Sequence, residues 1–243
     1  VISSAATASF TENGSGAAYT VTATDDAETG VDLAYTLSGT DAALFNIDSA
    51  TGAVTFKSTP NFEVPKDAGA NNVYNFVVAA TDGVLAATKA VTLNVTNQNE
   101  APVVTSDGGG AQATTQVGVV TFATIQVVEN SAVVATVTAS DPDAATVLTY
   151  SIAGGADASQ FTINPATGVL SFTAPPNFDL PTDIDFNNVY EVIVQVSDGM
   201  LADTQTITVT VTNFEDPPIV SVLNGTTTAN IIAGTANHDI ING

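Results

Sequence analysis

The chain is written twice. "FNIDSATGAVTF" (residues 45–56) realigns with "FTINPATGVLSF" (161–172) after 116 residues. "PNFEVPKDAGANNVY" (60–74) meets "PNFDLPTDIDFNNVY" (176–190) at the same offset, as does Asp82 of "ATDGVLA" with Asp198 of "VSDGMLA". Glu12 of "TEN" meets Glu129 of "VEN" at 117. Register kept over a whole domain length means one folding unit present in two copies. The expected domains are residues 1–100 and 101–216, with 217–243 left as a tail and an insertion near 106–122 lengthening the second copy.

Each copy reads as β structure. "YTVTAT", "YNFVVAAT", "YEVIVQVS" and "TITVTVT" alternate β-branched or aromatic residues with small polar ones, the period of half-buried strands. "SATG", "PATG", "TDG" and "SDG" punctuate them as turns, and no helical period is sustained. The expected class is all-β: two tandem immunoglobulin-like Greek-key sandwiches of about seven strands each. In the two "TG" pairs, Gly52 and Gly168 are placed to supply the positive φ of a turn. The run Gly108-Gly109-Gly110 reads as an elbow, since neither a helix nor a Lys comes after it to make a phosphate loop.

Charge narrows the function. The chain carries 25 Asp and Glu against Lys57, Lys66 and Lys89, with no Arg, for a formal net charge of −22. Such a surface repels phosphate backbones and anionic bilayers, which excludes nucleic acid as a partner. No apolar run approaches a membrane span, so no membrane insertion is expected. With no Cys, disulfides, thiolate zinc sites and a Cys nucleophile are excluded. His238 is the sole histidine and lies in the tail, so no Ser-His-Asp arrangement is expected within the domains, and the chain is not expected to be an enzyme.

Many of the acids recur at matched positions in turns and strand ends: Glu12 and Glu129, Glu63 and Asp179, Asp25 and Asp141, Asp82 and Asp198, Glu100 and Asp216. A sandwich gathers its loops at two poles, and three lysines cannot offset so many carboxylates there. A hard cation with six to eight oxygen ligands can.

These residues carry a resemblance. "EN", "DPD", "PNFE" followed by a Tyr, "TDG" and "NQNEAP" (97–102) resemble the calcium motifs of cadherin repeats, over nearly all of residues 1–218. The chain is most similar to the cadherin-like domains of bacterial adhesins of the rhizobial adhering type. That resemblance implies bound Ca²⁺ held at a domain junction. Glu12, Asn61 and Glu63 would come from the base of the first domain, Asn97, Asn99 and Glu100 from the linker, and Asp141, Asp143 and Asp198 from the second domain. Asp82 is the first-copy match of Asp198, and Glu129, Asp179, Glu215 and Asp216 would form the matching set of the second copy. This chain departs from the family where Asn61 and Asn177 replace an acid and where Asp25-Asp26-Ala27 lacks the second acid of a DxD pair. The insertion before Glu129 leaves an intradomain location for the metal open. Asp67, Asn71 and Asn72, with Asp183, Asn187 and Asn188, read either as further oxygen donors or as turn residues.

In the tail, Gly225, Gly234 and Gly243 stand nine residues apart. The segment resembles degenerate repeats-in-toxin (RTX) nonapeptides, which implies type I secretion and a location outside the cell or on a bacterial surface. The expected function is a calcium-dependent, lectin-like adhesion module that binds acidic exopolysaccharide or a cell surface in aggregation or biofilm, with weak self-association. The alternative is a calcium-stiffened extender segment with no ligand of its own.

Overall fold

A computed structural model describes residues 1–25, 33–106, 123–214, 220–223 and 230–233. The chain divides into two compact units. The first is Val1–Glu100 with Pro142–Ala144; the second is Ala101–Asp141 and Ala145–Gly243.

In the first unit the strands are β1 (Thr7–Thr11), β2 (Tyr19–Thr20), β3 (Ala34–Ser38), β4 (Phe45–Ile47), β5 (Ala53–Phe56), β6 (Val73–Thr81) and β7 (Ala86–Thr96). They form a four-stranded sheet in the order β1-β7-β6-β3 and a three-stranded sheet in the order β2-β5-β4. Alternation drives the assembly. Tyr74, Phe76, Val78 and Ala80 of β6 are buried, as are Val91, Leu93 and Val95 of β7, while the residues between them are not. Phe45 and Phe56 of the smaller sheet meet the Tyr74 ring edge-on, at 5.8 and 5.2 Å between centroids, a favoured aromatic geometry. The anticipated strand at "YTVTAT" is only two residues long. Beyond Thr20 the backbone turns to single contacts, Val21 N–H to Gly52 O and a bridge from Ala23 to Ile2.

The second unit repeats the plan with β8 (Val103–Val104), β9 (Ala123–Val128), β10 (Val133–Thr136), β11 (Ala139–Ser140), β12 (Thr149–Gly154), β13 (Phe161–Ile163), β14 (Val169–Phe172), β15 (Val189–Ser197) and β16 (Ala202–Thr212). Its sheets run β12-β15-β16-β9 and β10-β14-β13, with a short β11-β8 ladder. Both units are all-β sandwiches, as the alternation implies. In the tail, β17 (Val220–Leu223) pairs antiparallel with β18 (Asn230–Ala233). Gly225, Gly234 and Gly243 lie outside the described residues, as do Asp26, His238 and residues 107–122 of the insertion.

One topological detail positions the site. The first and last long strands of each unit are parallel: β1 to β7, ending at Thr11 beside Thr96, and β9 to β16, ending at Val128 beside Thr212. The residues just after both strands therefore emerge at the same end of the sandwich.

The "TG" turns have the expected backbone, Gly52 at φ +71° and Gly168 at φ +69°. A Cβ on Gly168 would stand 2.1 Å from Val137 O, and one on Gly52 2.8 Å from Val21 O. Gly199, at φ +97°, faces open space. Gly168→Ala should therefore destabilise by about 2 kcal/mol or more, against about 1 kcal/mol for Gly199→Ala, which bears only the backbone cost. Urea denaturation of the two variants checks this, and equal losses would mean that the close approach is not what requires the glycine.

Candidate metal centre

The site begins where β1 ends. Glu12 N–H donates to Thr96 O, extending the β1–β7 ladder by one residue, and Asn13 then turns the chain at φ +57° with its N–H on Pro60 O. Asn tolerates this left-handed backbone better than most side chains, which accounts for "EN". Glu12 is fully buried. Its Oε2 accepts Phe62 N–H at 2.6 Å and its Oε1 accepts Gln98 N–H at 2.9 Å. One carboxylate thus pins two segments, the "PNFE" loop and the exit from β7. Asn72, left-handed at φ +65°, secures the same loop from behind by donating Nδ2 to Phe62 O.

Pinning these segments gathers charge. Glu12, Glu63 and Glu100 each bring a carboxylate oxygen into one group with all three atoms within 4.8 Å of one another. Asp143 is buried beside them, accepting Asn97 Nδ2 at 2.7 Å and Glu100 N–H at 2.9 Å. Asn13 Nδ2 donates to Glu100 Oε1 at 2.7 Å. Glu63 Oε2 and Glu100 Oε2 are buried and accept no hydrogen bond. Burial pushes the Glu63 carboxyl up, with further repulsion from Glu12 and Asp143. Glu100 is raised by burial and then by Glu12 and Glu63. Buried acceptor oxygens without donors, set among like charges, fit a hard oxygen-seeking cation such as Ca²⁺.

The other expected residues are distributed differently. Asn61 Oδ1 accepts Val64 N–H, closing a turn, and Asn99 Nδ2 donates to Glu100 O. Asp82 and Asp198 each accept two N–H bonds in the turns Asp82–Leu85 and Asp198–Leu201. Each precedes the last long strand of its own sheet, β7 or β16, whereas Glu12 and Glu129 sit at the finishing ends of those strands. Asp141 belongs to the second unit. In that unit Glu129 repeats the clamp, Oε2 on Phe178 N–H and Oε1 on Phe214 N–H, both at 2.9 Å. Asp179 is exposed, and Glu215 and Asp216 lie outside the described residues.

Other recurring acids of the loops hold backbone. Asp67 accepts N–H bonds from Gly69, Asn71 and Asn72, and Asp183 from Asn187 and Asn188. Asp41 and Asp157, not singled out from the sequence, are buried and join the same loops to the next strand through Ala68 and Asn75, or Ile184 and Glu191. Their own offset of 116 was the available signal.

Comparison with known proteins bears on the fold. Residues 123–212 match the cadherin domain family model. The fold is cadherin-like. The first two cadherin repeats of human protocadherin-24 superpose with a TM-score of 0.57 at 18% identity, covering 86% of this chain and 95% of that one. Repeats 1–4 of Drosophila N-cadherin give 0.54 at 21%, covering 85% and 47%, and repeats 22–24 of mouse cadherin-23 give 0.53 at 21%, covering 85% and 63%. A search of curated proteins finds no match. Among the described residues no helix is long and apolar enough to cross a membrane.

The raised carboxyls set a pH dependence. A glutamate whose folded pKa exceeds its unfolded value adds stability below about 4.5 and loses that contribution as pH rises through the folded value. Asp48 and Asp82, held low by backbone N–H bonds, change only below 3.8. In chelator, melting temperature should therefore rise as pH falls from neutral toward 4.5. Glu63→Gln with Glu100→Gln should flatten that rise, and an unchanged slope in the double variant would contradict the assignment.

Proposed function

We propose that this chain is an extracellular, calcium-binding adhesion module that takes an acidic polysaccharide in a calcium-dependent manner. The observation that supports it best is the Glu12–Glu63–Glu100 group with its two donorless buried oxygens. Cadherin domains typically bind calcium. Here Glu12, Glu63, Glu100 and Asp143 would hold the ion, with Asn61, Asn97, Asn99, Asp141 and Asp198 completing the family's pattern. Asp82 is the first-copy counterpart of Asp198, and Glu129, Asp179, Glu215 and Asp216 would serve the second copy. Bound Ca²⁺ supplies positive charge that the chain otherwise lacks: with three lysines against 25 acids, an anionic polymer meets net repulsion in the metal-free protein. The setting is a secreted or surface-attached bacterial adhesin, with the tail as a worn RTX segment.

Tandem repetition favours a second reading, a calcium-stiffened extender without a ligand. The two separate on one measurement, retention of the chain on immobilised acidic exopolysaccharide with calcium and with EDTA. The adhesion reading expects retention that EDTA abolishes and calcium restores. Calcium uptake without any retention would favour the extender, and retention indifferent to EDTA would remove the calcium requirement.

A further inference from the structure

We propose that a cleft in the first unit, between the 3-10 turn Ala42–Leu44 and residues 57–66, binds a carboxylated saccharide with Lys57 and Lys66 as its counter-charges. This rests on the proposal that the ligand is an acidic polysaccharide, and it locates the contact away from the carboxylate group itself. The cleft holds about 500 Å³, within the usual range of small-ligand sites. Its apolar surface comes from Leu44, Phe56 and Val64, and two of the three lysines in the chain line it.

In a chain of net charge −22, a lysine would ordinarily be drawn to a carboxylate. Neither of these two is ion-paired among the described residues. Lys57 Nζ donates to Ala43 O at 2.7 Å, which fixes the ammonium at the rim and leaves two of its three protons to give. Lys66 Nζ has no partner among the described residues. The Ser58 and Thr59 hydroxyls and Asn61 Nδ2 are likewise uncommitted there. Two cations, an apolar floor and several small hydroxyl and amide groups match a uronate ring, which carries one carboxylate, an apolar face and a hydroxyl edge. An acidic peptide carries its carboxylates on flexible stems and has no apolar ring face beside them to lie on Leu44, Phe56 and Val64.

The second copy supplies an internal contrast. Lys57 and Lys66 are replaced by Thr173 and Thr182, and Leu44 by Gln160. Gln160 Nε2 donates to Thr182 O at 3.1 Å and its Oε1 accepts Thr182 Oγ1 at 3.5 Å, tying turn to loop across the equivalent space. Leu44 and Lys66 form no such tie, and the first copy is open there.

Calcium dependence then needs no contact between metal and sugar. Pro60, Asn61 and Val64 of the cleft wall flank Phe62, bonded to Glu12, and Glu63 of the carboxylate group. A cation held by Glu63 fixes that wall.

The test is calorimetric titration of the full chain in calcium with trigalacturonic acid, too short to gel, against maltotriose and triglutamate. Trigalacturonate should bind, and Lys57→Gln and Lys66→Gln should each weaken it roughly ten- to hundredfold, the scale of one charged hydrogen bond. Leu44→Gln with Lys66→Thr, which writes the second copy's tie into the first, should abolish binding, and all three should leave the calcium isotherm unchanged. Variants that bind trigalacturonate as tightly as the parent would remove the cleft while leaving the polysaccharide reading intact. So would retention of the polymer without binding of the trisaccharide. Equal affinity for triglutamate would make the ligand an acidic peptide, and failure of both polymer and trisaccharide would sink both readings.

Discussion

Confinement of like charge is the constraint around which the first unit is arranged. Glu12, Glu63 and Glu100 hold three carboxylate oxygens within 4.8 Å of one another. At an effective dielectric near 20, each pair at that spacing costs about 3 kcal/mol before salt screening. Three pairs approach the roughly 5–15 kcal/mol by which a whole domain is stable. A fold does not keep such an arrangement for the sake of stability. The structure supplies what is needed to hold it in place. Backbone N–H groups of Phe62 and Gln98 fix Glu12, and Asn13 and Asp143 fix Glu100 through its carboxylate and its amide. Everything that would complete the arrangement, positive charge and further oxygen-seeking coordination, is what a divalent ion brings.

Duplication separates scaffold from site. The clamp by which Glu12 joins loop to strand exit recurs in Glu129 atom for atom, through Phe178 and Phe214. So do the left-handed Asn13 and Asn130, the Asn72 and Asn188 braces, and the buried Asp41–Asp67 and Asp157–Asp183 loops. These are the mechanics of closing one end of a sandwich whose first and last strands are parallel. What differs is chemistry near that end: Lys57 and Lys66 become threonines, and Leu44 becomes a glutamine that bridges the gap. The two copies share a frame and need not share a ligand.

Much of this was legible in the sequence, because the informative patterns are local or periodic. Alternation in "YNFVVAAT" marks the buried face of β6 directly, and an offset of 116 exposes the repeat without any structural knowledge. Glu12, Glu63, Glu100 and Asp143 could be named because they recur in turns or match a family motif. What escaped is non-local hydrogen bonding. No pattern says that Asp41 will be buried by the N–H groups of Ala68 and Asn75, or that Asp67 will spend its oxygens on its own loop. Nor does spacing reveal that two lysines nine residues apart face one cleft, since that depends on how the "PNFE" loop is folded back by Glu12. The strand anticipated at "YTVTAT" was shortened by a tertiary effect, the close approach of Val21 to the Gly52 turn.

Isothermal titration of the chelator-stripped chain with calcium decides whether the gathered carboxylates bind a divalent ion. Uptake should be saturable, and it should be lost or severely weakened when Glu12, Glu63 and Glu100 are replaced together by glutamine. Titration heats indistinguishable from dilution, or uptake unaffected by the triple replacement, would contradict it.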